Sequence, residues 1–563
     1  MNTNRFAILL FLFFLSFFLP AALSAAAPRY IHLEKPVYSF LDKAYMHGYL
    51  TYLPRSRPFT EKQVMAFLNK IETNISVSSK TVDKQFTTRL ESMQKKYTTE
   101  KNTLISRKWD TGKIQLRGNL FSSVDMLLNK PTESVQEAGF KGSIDLSITD
   151  NFYANMTNSL HIRHIPYETS PYPSFSKPNL PDYNMFTFNL DTGESGFNHS
   201  ASHSPGDREL FFQINQLSQF NWNNKYLSLS FARNTPSWGV SPVDNFCFSK
   251  GANPFTNLQF TLPLGKNGMF TWNTGFLQDF GGNTKTVAHN FTEKLVTAHR
   301  IEYQIHPRIF FSIYESVMYD KRFVLEYINP FNAYYISEVM LGSTDNKLGG
   351  AELELRIAGS RFYTALFADD IDFKALFSPN YYHNIYGFTI GGRTAAFHPK
   401  LLFTGEWTYL SHWMYTHWTN TNSYTHYGNH LGHFLEPNSH MLHTDADYRL
   451  NSRLSLNGSI EFIQHGRGDI NTPADWDQEA ELYEADLRDV HYAFLDFGIK
   501  GFTYENLLSV DFGGSYFLEK INMDINTLFT AEYSEIRNTE NHSIVENSPS
   551  WNYFFTLEAK WSP

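Results

Sequence analysis

Between positions 413 and 427 the chain places Trp413, Tyr415, Trp418, Tyr424 and Tyr427, and residues 407–443 also hold seven histidines, among them His430 and His433. Sugar rings offer apolar C–H faces that stack on aromatic rings, and their hydroxyls need donors and acceptors, so aromatic side chains mixed with His and Asn suit glycan binding. The same residue types also furnish an interfacial girdle and a polar lumen loop of a membrane barrel, and that alternative stays open. His426, His430 and His433 could be read as metal ligands. Gly428 and Gly432 break any helix that would bring them together, so no metal site is assigned.

Other polar groups are weaker candidates. Asp369 and Asp370 are adjacent at a strand end, where neighbours point to opposite faces, so they do not form an acid and base pair; a polar turn, a calcium contact or a glycan contact suits them better. Arg233, Arg356 and Arg467 could hold an anionic polymer through the planar guanidinium fork, or line a lumen as a salt-bridge ladder. Eight acids between Asp469 and Asp489 lack calcium-loop spacing and read as a solvated loop. No nucleophile elbow, phosphate loop or zinc-protease helix occurs in a fitting context, so the expectation is a protein that is not an enzyme and carries no cofactor. A hydrolase using a Ser–His pair would need a local spacing that is not seen.

These residues need a scaffold, and its signature is a two-residue rhythm. Ile114, Leu116, Leu120, Val124 and Met126 alternate with Lys113, Gln115, Arg117, Asn119 and Asp125. Phe140, Ile144, Leu146 and Ile148 repeat the pattern, and Tyr553, Phe555, Leu557, Ala559 and Trp561 carry it to the chain end. Further strands are expected over 227–233, 351–357, 454–462 and 510–517. Aromatic residues make up 16% of the chain, with 50 Phe, 32 Tyr and 10 Trp, which suits the two interfacial girdles of a transmembrane β-barrel better than a secreted sandwich. The mean hydropathy of -0.37 does not oppose this, because every second barrel residue faces the lumen. At roughly 10 residues per strand, residues 106–563 accommodate about 16 to 18 strands.

Residues 1–26 read as an export signal: Arg5, an apolar run over 6–19, and the small residues Ser24 and Ala26 before the cleavage point. Residues 27–105 differ from the rest. Pro36 and Gly48 bracket a first helix, Thr60 and Gln63 form a capping box for a second, and Phe86, Leu90 and Met93 stripe a third. Placed before the first strand, this bundle is expected on the periplasmic side, capping or plugging the barrel mouth. Long segments over 164–208 and 466–490 are expected as extracellular loops. The single cysteine, Cys247, excludes an intramolecular disulfide, and its Phe neighbours predict an inert, buried thiol. With 47 basic against 56 acidic residues the precursor carries -9, and loss of Arg5 leaves -10, which excludes nucleic acid as a partner.

Four segments in order resemble the Wzi family of outer-membrane capsule-assembly proteins. They are FARNTPSWGVSPVDNFCFSKGANPF at 231–255, DNKLGGAELELR at 345–356 followed by ALFADD at 365–370, YGNHLGH at 427–433 with Asp445 after it, and QHGRG at 464–468. Phe434-Leu435-Glu436-Pro437 stands where the family pattern continues with glycines, and the chain ends in Trp-Ser-Pro instead of an aromatic. The resemblance implies an 18-stranded, monomeric barrel in the outer membrane of a diderm bacterium, with a periplasmic helical element. It also implies a lectin-like task, holding exported polysaccharide at the cell surface, and adds Trp238 to the candidate ligand residues. A passive channel for small solutes is the alternative that the residues themselves leave open.

Overall fold

The computed structural model describes residues 29–561 except 32, 34–35, 78–83, 99–102, 110–111, 128–134, 150, 167–184, 190–194, 198–207, 281–290, 321, 323, 343, 371–384, 399, 412, 418–419, 452, 467–502, 519, 522, 539–542 and 546–547. The export signal, the acidic loop and most of 164–208 lie outside the described residues.

Period-two alternation becomes a wall with two unlike faces. Ile114, Leu116 and Leu120 are exposed while Gln115 between the first two is buried. Across the next pair Phe140 and Ile144 are exposed while Ser143 and Asp145 are buried. A sheet that is apolar outside and polar inside is stable only with hydrocarbon around it and a polar interior within. The wall has 18 antiparallel strands. In chain order they are Gly112–Leu127, Val135–Thr149, Phe152–Pro166, Arg208–Asn223, Ser228–Asn234, Phe255–Leu264, Gly268–Phe280, Phe291–His306, Ile309–Asp320, Asn346–Ile357, Ser360–Asp370, Ile385–Thr394, Leu401–Leu410, Ser439–Arg449, Leu454–His465, Thr503–Leu518, Met523–Asn538 and Ser550–Trp561.

The last strand closes on the first, with Leu557 opposite Val124 and Trp561 opposite Leu120. Closure leaves no unpaired edge in lipid. Beyond Leu120 the first strand's edge is covered by Thr103–Trp109, which sets Lys108 opposite Lys113. Connections at one end are short, as at 265–267, 307–308 and 358–359; at the other they are long, as at 235–254, 321–345 and 411–438. In barrels of this kind the short-turn end faces the periplasm.

Three N-terminal helices lie against that short-turn end: α1 (Val37–Met46), α2 (Glu61–Val77) and α3 (Lys84–Thr98). The capping box forms, with Thr60 N donating to Gln63 Oε1 at 2.8 Å and Gln63 N donating to Thr60 Oγ1 at 3.2 Å. Val37, Phe40, Leu41 and Ala44 of α1 are fully buried and join Val64, Leu68, Ile71, Phe86 and Leu90 in one core. Each large apolar side chain buried there contributes about 1.5–3 kcal/mol. Gly48, at φ +83°, turns the chain out of α1 in a left-handed conformation that glycine adopts without a Cβ clash.

The long connection 321–345 takes an outward course. It carries α4 (Leu325–Ile328) and α5 (Tyr334–Leu341) across the outer wall, where Tyr327 and Tyr334 bury Phe270, Trp272, Val317 and Tyr319. Trp272 Nε1 donates to Tyr334 Oη at 2.9 Å, and Glu315 accepts from the Tyr334 backbone N–H at 2.8 Å, at the start of α5. A carboxylate there meets the free N–H groups and the positive end of the helix dipole.

Candidate functional site

From Arg55 onward the lumen is occupied from both ends. After α1 the chain enters the barrel, and Ser56–Arg57 pairs antiparallel with Ser237–Trp238, which descend from the long connection 235–254. Asp42 of α1 is the hub of this meeting. Arg55 Nη1 lies 2.8 Å, Arg393 Nη1 3.0 Å, Arg57 Nη2 3.3 Å and Arg361 Nη2 3.4 Å from its carboxylate oxygens. Arg55 and Arg361 also share Glu354, at 2.8 and 2.9 Å. Next to it Arg300 pairs with Glu302 at 3.0 Å and Glu352 at 2.6 Å, and Tyr52 Oη donates to Glu302 at 2.7 Å. Burial alone would raise the Asp42 carboxyl, but Arg361, Arg57, Arg55 and Arg393 outweigh it and hold the group well below the usual carboxylate range.

Arg356, one of the three arginines considered from the sequence, acts on backbone instead of on a carboxylate. Its Nη1 donates to Tyr45 O and Leu50 O, both at 2.6 Å, and Nη2 donates to Pro307 O. It therefore ties the end of α1 to a short turn, where a cation also meets the negative end of the helix dipole. Arg233 is half-buried on Ser228–Asn234, and Arg467 lies outside the described residues.

The second occupant comes from the long-loop end, and it carries most of the candidate ligand residues. Connection 411–438 folds into the mouth and interlocks with 235–254. Tyr415 and Tyr424 stack at 5.6 Å between centroids, 15° from parallel. Tyr415 Oη donates to Phe246 O at 2.9 Å, Tyr424 Oη donates to Cys247 O at 2.8 Å, and Ser249 N donates to Leu431 O at 2.9 Å. Asp369 accepts from Tyr415 N at 3.0 Å, so this carboxylate fixes the backbone where Tyr415 has φ +72°. Gly432 is required by close approach: a Cβ would lie 2.2 Å from Phe246 O and 2.6 Å from Tyr415 Oη.

The ten side chains named as ligand candidates thus divide by position. Trp238, Tyr415, Tyr424 and His433 are fully buried in the lumen core, at 0% exposure, and in this structure offer no surface to a polymer; they hold the loop. Trp413, Tyr427 and His430 are half-buried on the same connection. Trp418 lies outside the described residues. His430 Nε2 lies 3.0 Å from Glu436 Oε1, and Tyr427 is tied to Gln278 through its backbone N–H at 2.7 Å and through its hydroxyl. Among the described residues no group of three or more His, Cys, Asp or Glu could hold a metal ion.

From the sequence Phe434 and Glu436 entered only as a departure from the family pattern and Asn429 only within YGNHLGH; in the structure all three are half-buried, Glu436 pairs with His430, and Asn429 Nδ2 donates to Tyr427 O at 3.2 Å. The spacing of His430 and Glu436 was the available signal. Sequence reasoning passed over Arg55 and Asp42, which reach partners 299 and 351 positions away in the chain. Cys247 is buried, and that burial pushes its thiol up to about 12.

No family model matches the chain, and no curated protein matches it. Among solved structures it resembles Wzi of Escherichia coli, described as an outer membrane protein involved in group 1 capsule assembly and a carbohydrate-binding β-barrel. The TM-score is 0.57 at 10% identity, over 95% of this chain and 99% of that one. OccAB2 of Acinetobacter baumannii gives a TM-score of 0.41 at 10% identity, over 80% of this chain and 98% of that one. The outer membrane protein OpdK of Pseudomonas aeruginosa gives 0.39 at 9% identity, over 80% and 98%. The resemblance read in the sequence holds for the fold: this chain is an outer-membrane type of β-barrel built on the Wzi plan.

Proposed function

We propose that the protein is a non-enzymatic barrel of a diderm outer membrane that binds exported polysaccharide at the cell surface and helps assemble a capsule or exopolysaccharide layer. The observation that carries this reading is the seating of connection 411–438. Its inner side chains lock it into the mouth while Trp413, Tyr427, His430, Asn429, Phe434 and Glu436 remain half-buried at its surface. A fixed platform of rings, amide and a His–Glu pair loses little entropy on binding a sugar. The likeness of fold to a barrel described as carbohydrate-binding supports the same reading.

In this reading residues 1–26 are a cleaved export signal, the helices of 27–105 cap the periplasmic mouth, and the barrel works as a monomer in lipid. A passive channel is the second reading, and the lumen network of Asp42, Arg55, Glu354 and Arg361 argues against it, because these groups cross the path a solute would take. The test is binding of cell-surface polysaccharide to the detergent-purified barrel, with Trp413→Ala and Tyr427→Ala beside wild type, together with planar-bilayer conductance. Binding that falls about tenfold in both variants and a silent bilayer fit the proposal. Unchanged binding in both variants, or a large steady current from wild type, removes it.

A further inference from the structure

The short-turn end carries a second opening, distinct from the long-loop platform and independent of the reading just given. Between α1, α3 and the turns at 307–308, 358–359 and 395–400 lies a cleft of about 1040 Å³. Lys43, Arg89, Arg308, Lys400 and Arg449 line it, and Asp447 is its single carboxylate among the described residues. Arg356 also lines it, with its Nη groups bound to backbone carbonyls. A chain with an overall excess of acidic residues has concentrated positive charge in one concave place, where field lines focus on an anion.

One of these arginines, Arg89, is incompletely used. The Arg89 guanidinium sits 5.3 Å over the Phe40 ring and donates from Nη2 to Pro36 O at 3.5 Å, while its Nε is buried with no hydrogen-bond partner. Burial, and then the charge of Arg449, push Arg89 down to about 9. A neighbouring anion would relieve both penalties. Aromatic rings complete the lining: Tyr49 lies 5.2 Å from Phe86. Cations alone suit any small anion, but cations beside a half-buried tyrosine suit a sugar that bears a carboxylate.

We propose that this cleft binds an acidic oligosaccharide on the periplasmic side, with its carboxylates at Arg89 and Arg449 and a ring face against Tyr49. The test is calorimetric titration of the full-length, detergent-purified protein with oligogalacturonate, with maltoheptaose as a neutral chain and with inorganic phosphate as a bare anion. The expected result is oligogalacturonate binding at least about tenfold tighter than either comparator and weakening with salt. Arg89→Gln with Arg449→Gln should weaken it about tenfold. Arg308→Gln with Lys400→Gln, on turns outside any buried network, should weaken it less but measurably, and Trp413→Ala should leave it unchanged. Equal affinity for the neutral chain, equal affinity for phosphate, or indifference to both double variants would overturn the proposal. Loss on Trp413→Ala would assign the binding to the long-loop platform and also overturn it.

Discussion

Asp42→Asn is the sharpest perturbation the lumen allows, because it keeps the side-chain shape and removes one charge. Four guanidinium groups, of Arg55, Arg57, Arg361 and Arg393, surround two carboxylates, Asp42 and Glu354, an excess of two positive charges. The adjoining Arg300 with Glu302 and Glu352 carries an excess of one negative charge, which partly offsets it. In the variant the first excess becomes three. Breaking a buried pair by removing one partner costs about 3–5 kcal/mol. Most of that cost falls on the docked state, since α1 and Arg55 can leave the lumen while Arg361 and Arg393 belong to the wall. The docked population should therefore fall by roughly two to four decades relative to the open one. Planar-bilayer recording reads this directly: a quiet wild type and a variant that opens in steps. Trypsin should cut the variant at the Arg55–Ser56 bond far faster. Adding Arg393→Gln restores the excess to two and should recover part of the closure. A variant as silent, as protease-resistant and as heat-stable as wild type would refute the claim that this carboxylate holds the plug.

Three further outcomes follow from the long-loop plug. Gly432→Ala drives a methyl group into Phe246 O and the Tyr415 hydroxyl, and should loosen connection 411–438 by about 1–3 kcal/mol, read as faster amide exchange over 424–435. His433 is held neutral: burial pushes it from 6.5 down to about 4. The opened loop takes up the proton first, so closure should weaken as pH falls from about 6.5 to about 4, by at most ~3 kcal/mol, and then level off; His433→Phe should flatten that profile in hydrogen exchange corrected for intrinsic rates. Cys247 should resist thiol reagents in the intact protein and react rapidly in Gly432→Ala. Fast labelling of wild type would contradict its burial against Tyr424.

How much of this was legible in the sequence depended on the range of the interaction involved. The wall was readable because alternation is local: Leu454 to Phe462 shows its rhythm within nine residues, and the strand Leu454–His465 follows it. The capping box of Thr60 and Gln63 is local too. Aromatic content marked the loop that matters but not the roles within it. Tyr415 and Tyr427 look alike in the sequence, yet one is sealed under Phe246 and the other reaches the surface, a difference set by contacts about 170 positions away. Arg356 and Arg361 stand on one hairpin. Only folding shows that the first grips helix carbonyls and the second grips Asp42.

The outward course of 321–345 was illegible for a related reason. Leu325, Phe331, Tyr335, Ile336, Val339 and Met340 are all well exposed, so as a free loop in water this stretch would be costly. Against the wall it continues the apolar surface of Ile301, Ile313 and Phe276, and the same side chains then add to the area that lipid covers. Inside the barrel the logic runs the other way. Glu302, Glu352, Glu354, Arg361 and Arg393 come from the wall and cannot leave the lumen, whereas Asp42, Tyr52 and Arg55 come from the N-terminal segment. An empty lumen could solvate these charges with water, but a filled one must pair them. Since Phe246, Trp238 and Tyr415 exclude water from the long-loop side, the closing of that mouth makes the counter-charges of the N-terminal segment necessary. The two plugs therefore depend on each other through the wall, and the Ser56–Trp238 pairing is where that dependence becomes direct contact.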